Sequence, residues 1–203
     1  GNLGYDSDLD RYDVECGDCD DRNPLAYPNA PEIECNNIDE DCDGQDSGCL
    51  IAFAASDNSW DIHIMNRDGT NPRNITNNGA EDSNPRWSPV GRRIMFDSNR
   101  TGTFEVYTMD SDGQNLVTIT NDPSNERRAS WSLDGRQIAF DSDRTGRLQI
   151  YTANTDGTNV IRKTNNEAND SEPVFSPDGR YIAFASDRQG RWEIYLLDLV
   201  TNM

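Results

Sequence analysis

The stretch "IAFDSDRTGRLQIYTANTDGTNVIRKT", residues 138–164, decides the fold. Ile138 to Asp141 is a short apolar-led run, and "SDRTG" (142–146) supplies a turn after it. A second alternating run, Leu148 to Ala153, leads to Asp156-Gly157, a pair that favours a hairpin. Asn159 to Thr164 is a third run, and a fourth around Glu172 to Ser176 closes with "SPDG" (176–179) before the pattern restarts. The unit therefore reads as four short strands. Its opening Ile recurs at 51, 94, 138 and 182, a step of 43 and then 44 twice, which is the length of one four-stranded propeller blade.

The expected fold is thus mainly β: a partial β-propeller of about 3.5 four-stranded antiparallel blades over residues 51–203. Residues 51–77 supply strands two to four of a first blade, two whole blades follow, and residues 172–198 supply strands one to three of the last. "PRWSPVGRRIMFDSNRTGTFEVYTMDSDG" (85–113) and "PVFSPDGRYIAFASDRQGRWEIYLLD" (173–198) resemble the WD40-like propeller repeat of the TolB family. Ala129 and Leu133, where the pattern favours Pro, and Val90, where it favours Asp, depart from it. The resemblance implies antiparallel blades, often six, used for protein contacts and sometimes attached to a peptidase. Half-blade ends expose sheet edges that proteins cover. The count predicts either a longer native chain or ends met by a protein partner or another copy, giving a homo-oligomer or polymer.

Residues 1–50 have a different composition. They carry fifteen Asp and Glu against Arg11 and Arg22 alone, and all five cysteines: Cys16, Cys19, Cys35, Cys42 and Cys49. Two modules are expected, 1–50 and 51–203. Five cysteines leave one over, and spacing leaves the pairing open. Cysteine density with little apolar content points to disulfides and an extracellular, cell-surface or periplasmic setting. Cys16 and Cys19 form a CxxC, but Asp20 follows where haem attachment needs His, and no second CxxC or histidine pair serves zinc.

Asp6, Asp8 and Asp10 alternate, as do Asp39, Asp41 and Asp43 before Gly44. Asp18, Asp20 and Asp21 lie between them, with Glu32 nearby. Alternate carboxylates in tight loops converge on a hard cation, and oxygen-only ligands select calcium. Arg11 and Gly17 stand where an EF-hand counted from Asp6 needs Gly and Glu, so loop cages are expected, holding two Ca2+ ions. "DSDLDRYDVECGDCDDRNPLAYPNAPEIECNNIDEDCDG", residues 6–44, resembles the metal-binding motif named after the copper protein MopE, and also the calcium loops of thrombospondin type 3 repeats. The first resemblance implies copper. The absence of His from residues 1–50 argues against it.

The formal charge of -19 argues against nucleic acid, whose phosphates need clustered Lys and Arg. No run of eighteen apolar residues exists, so no membrane insertion is expected. His63, the one histidine, occupies the repeat position of Tyr107, Tyr151 and Tyr195 and reads as structural. No GxSxG elbow or cysteine nucleophile accompanies it. Trp87, Trp131 and Phe175 recur at one position and Trp60, Phe104, Leu148 and Trp192 at another, which predicts packing between blades. Asp57, Asn99, Asp143 and Asp187 are expected to cap their hairpins, and Asn74, Asn99 and Asn169 fit the glycosylation pattern. The sequence predicts a non-catalytic, calcium-stabilised scaffold for protein contacts. The alternatives are the propeller portion of a larger hydrolase and a copper-binding protein.

Overall fold

The computed structural model describes residues 50–56 and 58–201. Residues 52–56, 58–64 and 72–201 belong to one compact unit, and residues 50–51 and 65–71 to a second one. Among the described residues there are fourteen strands, and no helix long and apolar enough to cross a membrane.

The strands form four antiparallel sheets in chain order. The first holds β1 (Leu50–Ser56), β2 (Trp60–Asn66) and β3 (Arg73–Asn74). The second holds β4 (Asp82–Trp87), β5 (Arg93–Ser98), β6 (Glu105–Asp110) and β7 (Val117–Thr118). The third repeats it as β8 (Glu126–Trp131), β9 (Gln137–Ser142), β10 (Gln149–Asn154) and β11 (Ile161–Arg162). The fourth holds β12 (Asp170–Phe175), β13 (Tyr181–Ser186) and β14 (Glu193–Asp198). These are the strand assignments the repeat predicts: three, four, four and three.

The outermost strand is shorter than its sequence run. Over the predicted Asn159–Thr164, only Ile161 and Arg162 pair, with Thr152 and Tyr151. The reason is at the end of each run. Thr76, Thr120 and Thr164 turn their hydroxyls back to accept the amides of Ile62, Val106 and Ile150, at 2.9, 2.8 and 3.0 Å. A side chain replaces the next rung of the ladder, so the backbone is free to leave.

Packing between sheets supplies the core. Met95, Val106 and Ile119 of the second blade bury against Ala129, Ile138, Phe140 and Tyr151 of the third. Ala139 and Ile150 of the third bury against Phe175, Ile182, Phe184 and Leu197 of the fourth. The second and third blades thus have a forward face, covered by the next blade, and a rear face. Contact is also close at the rim: a Cβ on Gly157, whose φ is +81°, would stand 2.5 Å from the Ile119 carbonyl oxygen of the preceding blade. Gly157→Ala is therefore expected to cost more than about 1 kcal/mol, from the left-handed backbone and the clash together. Urea unfolding checks this, with Gly146→Ala, which has the same backbone sign but open space around it, as the comparison.

Candidate functional site

A repeated clamp fixes the second, third and fourth blades. Arg100, Arg144 and Arg188 leave the turn after the second strand of their blade and donate from Nε to Ser98, Ser142 and Ser186 at 2.8, 3.0 and 2.9 Å. Their terminal nitrogens reach Asp82, Glu126 and Asp170 on the innermost strand at 3.1, 3.2 and 3.1 Å. The guanidinium planes lie over Tyr107, Tyr151 and Tyr195, 4.7, 4.6 and 4.1 Å from the ring centres. Arginine serves here because one planar group makes both the fork and the cation–π contact. His63 holds the tyrosine's place in the first blade, stacked 5.4 Å from Phe53, as Tyr107 stacks on Phe96 and Tyr151 on Phe140 at 5.9 Å. His63 is half-buried in this stack rather than turned fully outward.

A second repeated device joins neighbours through the innermost strands. Each carries a bulge whose residue is left-handed: Asn84, Arg128 and Glu172, with φ of 54°, 53° and 56°. Asp97 accepts the Arg128 amide of the next blade on both oxygens, at 3.1 and 2.9 Å, and the Asn84 amide group at 2.6 Å. Asp141 accepts the Glu172 amide at 3.0 Å, the Ser171 hydroxyl at 2.7 Å and Arg128 Nε at 2.9 Å. Burial pushes both carboxyls up, Asp97 to about 6, against the pull of these donors. Strand spacing did not reveal this pair, because Ala54 and Ala185 stand at the same repeat position in the end blades. The three bulges surround a depression of about 240 Å³ lined by Asn84, Arg128, Ser130, Glu172 and Val174.

The forward face of the fourth blade differs from the others. Ile62, Val106 and Ile150 are fully buried at one repeat position, and Ile64, Thr108 and Thr152 at most 4 % exposed at the next. Their counterparts Ile194 and Leu196 are 74 and 65 % exposed. Trp192 at 55 % and Val174 at 54 % extend the patch. Here the tryptophan expectation needs correction, since Trp60 is also half exposed. Phe104 is covered by the Arg127 guanidinium of the next blade, 3.9 Å from its centre. The residue at that place beside Trp60 is Ser83, too short to cover an indole, and no following blade among the described residues covers Trp192. Trp131, by contrast, packs against the core between the second and third blades.

The turn residues act on a different partner from the one expected. Asn99, Asp143 and Asp187 accept amides of Glu81, Asn125 and Asn169 in the loop entering the blade, at 2.9, 2.9 and 2.8 Å, and so tie the loop to the turn. Asn74 and Asn169 spend their amide groups on Asp61 and Asp187.

All ten predicted ligands, Asp6, Asp8, Asp10, Asp18, Asp20, Asp21, Glu32, Asp39, Asp41 and Asp43, lie outside the described residues, as do the five cysteines. Among the described residues no group of three or more His, Cys, Asp or Glu is placed to hold a metal.

Comparison with solved structures gives the architecture its parallel. TolB from Acinetobacter baumannii superposes with a TM-score of 0.69 at 26 % identity, over 76 % of this chain and 40 % of that one. The blades are TolB-like. A TolB-type protein of Agrobacterium tumefaciens gives 0.68 at 28 % identity, over 75 % of this chain and 58 % of that one. The chain thus spans about half the length of these TolB structures. A puromycin hydrolase shares the fold at 18 % identity, TM-score 0.59, over 71 % of this chain and 25 % of its own. Residues 18–47 match the MopE copper-binding family described as "Putative metal-binding motif". No curated protein matches the chain.

Proposed function

We propose that this is a non-catalytic, extracytoplasmic scaffold whose TolB-like blades make protein contacts through the forward face of the fourth blade, with an acidic module that takes calcium. The observation that carries it is the exposure of Ile194 and Leu196 at positions buried in the other blades. Covering each of these side chains is worth on the order of 2 kcal/mol. The occupant that fits is a further blade, whether of a longer chain or of a second copy, because a blade of this repeat covers the same face at the two junctions between the second, third and fourth blades. The metal-binding motif at 18–47 supports a metal in the acidic module, and its carboxylate ligand set, without histidine, favours calcium over copper. The stacked place of His63 supports a role outside catalysis.

Light scattering on a sizing column, in calcium and after chelation, tests this reading. A chain of residues 1–203 is expected to run as a multimer in calcium and its Ile194→Glu variant as a single chain. Dissociation of the wild type on chelation makes the acidic module part of the joint. A wild type with the mass of one chain in both buffers overturns self-association.

A further inference from the structure

We propose that Glu105 and Glu126 form a calcium site at the junction of the second and third blades, completed by main-chain carbonyl oxygens of residues 104, 122 and 124. Glu105 opens β6 at 2 % exposure and Glu126 opens β8 fully buried. One oxygen of each is satisfied: Glu105 Oε1 accepts the Asp122 amide at 3.1 Å and the Thr103 hydroxyl at 3.4 Å, and Glu126 Oε1 accepts Ser142 at 2.6 Å and Arg144 at 3.2 Å. The other two, Glu105 Oε2 and Glu126 Oε2, are buried with no donor, and the two carboxyls lie close enough to interact directly. Two buried oxygens without a donor call for a positive centre between them.

The next junction shows what surrounds Glu105 Oε2. Gln149 occupies the same repeat position, and its Oε1 accepts the Asn166 amide at 3.2 Å as Glu105 Oε1 accepts that of Asp122. The Gln149 Nε2 therefore marks the place of Glu105 Oε2. That nitrogen donates to three carbonyl oxygens, of Leu148, Asn166 and Ala168, at 2.8, 3.3 and 2.9 Å. One repeat back, these are the carbonyls of residues 104, 122 and 124. Glu105 thus sets an oxygen where its repeat sets an amide, amid acceptors only. A single proton bridges the two carboxyls at most. A cation meets all five oxygens, and carboxylates mixed with backbone carbonyls are the ligand set of calcium. The charges agree: among the described residues the cation paired with Glu126 and Asp122 is Arg144, at 3.2 and 3.7 Å.

This site is independent of the acidic module, and the test keeps them apart. Calcium bound per chain is measured by equilibrium dialysis and metal analysis near pH 8, for the full-length wild type, for Glu105→Gln and for the triple variant Asp39→Asn, Asp41→Asn, Asp43→Asn. Glu105→Gln is expected to bind one ion fewer than wild type while melting in chelator no lower than wild type, since Gln149 shows that the amide fits. The triple variant is expected to keep that one ion. Should Glu105→Gln fail to fold, Glu126→Gln is read in the same way. Undiminished binding by the folded variant, or no binding at all by the triple variant, overturns the proposal and leaves the carboxyl pair sharing a proton. Failure of the acidic module alone shows as a triple variant that binds as much as wild type.

Discussion

Asp141→Ala is expected to destabilise the propeller by about 3 to 5 kcal/mol, the range for removing one partner of a buried charge pair. Asp141 is fully buried, and its Oδ2 serves three donors at once: Arg128 Nε, the Ser171 hydroxyl and the Glu172 amide. Two of these belong to the following blade. Alanine leaves the Ser171 hydroxyl buried without an acceptor, costing about 1 to 3 kcal/mol, and takes the acceptor from the Glu172 amide, which lies nearer to water. The guanidinium contributes less, because its side chain is 31 % exposed and can turn to water. Glu172 adds to the cost, since its left-handed backbone, φ 56°, is held in place by that carboxylate. Asp141→Asn keeps an acceptor and should lose about half as much. Urea unfolding with the slope unchanged gives the difference. A loss under about 1 kcal/mol would show that the bulge holds itself and that Asp141 does not join the blades.

The blade plan was legible because it repeats: Ile51, Ile94, Ile138 and Ile182 fix the period, and each Asp-Gly or Ser-Pro-Asp-Gly fixes a turn. What escaped the reading is what the repeat does not hold constant. Asn84, Arg128 and Glu172 share one left-handed conformation with no residue type in common, so nothing local marks them. The bulge is imposed by pairing, as the register slips between Arg127 and Ser130 show. Asp97 and Asp141 are set against alanines in the end blades and look like ordinary strand variation until the amide across the junction is seen. Trp60 is half exposed where the next blade sets Ser83 in the repeat place of Arg127, a difference no spacing within one unit contains. Glu105 and Gln149 differ by one atom type, and only the carbonyls around Gln149 give that difference a meaning. The acidic module was read from carboxylate spacing, and residues 18–47 match a metal-binding motif.

Stability should fall as pH rises through the range where Asp97 ionises, and Asp97→Asn should remove that fall. The carboxyl is 1 % exposed, and burial lifts it from 3.8 to about 6 in spite of the Arg128 amide and the Asn84 side chain. Arg127 helps little at 3.9 Å, and the Asp141 carboxylate across the junction opposes ionisation. A folded carboxyl with a raised value keeps a proton that the unfolded chain has already lost. Its contribution is therefore whole below about pH 4 and gone once the pH has climbed past about 6. The size is on the order of 2 to 3 kcal/mol, by conversion of the shift to free energy. Other carboxyls titrate in the same range, so the quantity to read is wild type minus Asp97→Asn at each pH, in calcium-free buffer, where distant groups cancel. That difference should favour wild type by most at about pH 4 and decline steadily to about pH 7. Parallel curves would mean that Asp97 is ionised throughout, its charge held by the Arg128 amide and Asn84 alone, and that burial at this junction is relieved by water entering between the blades.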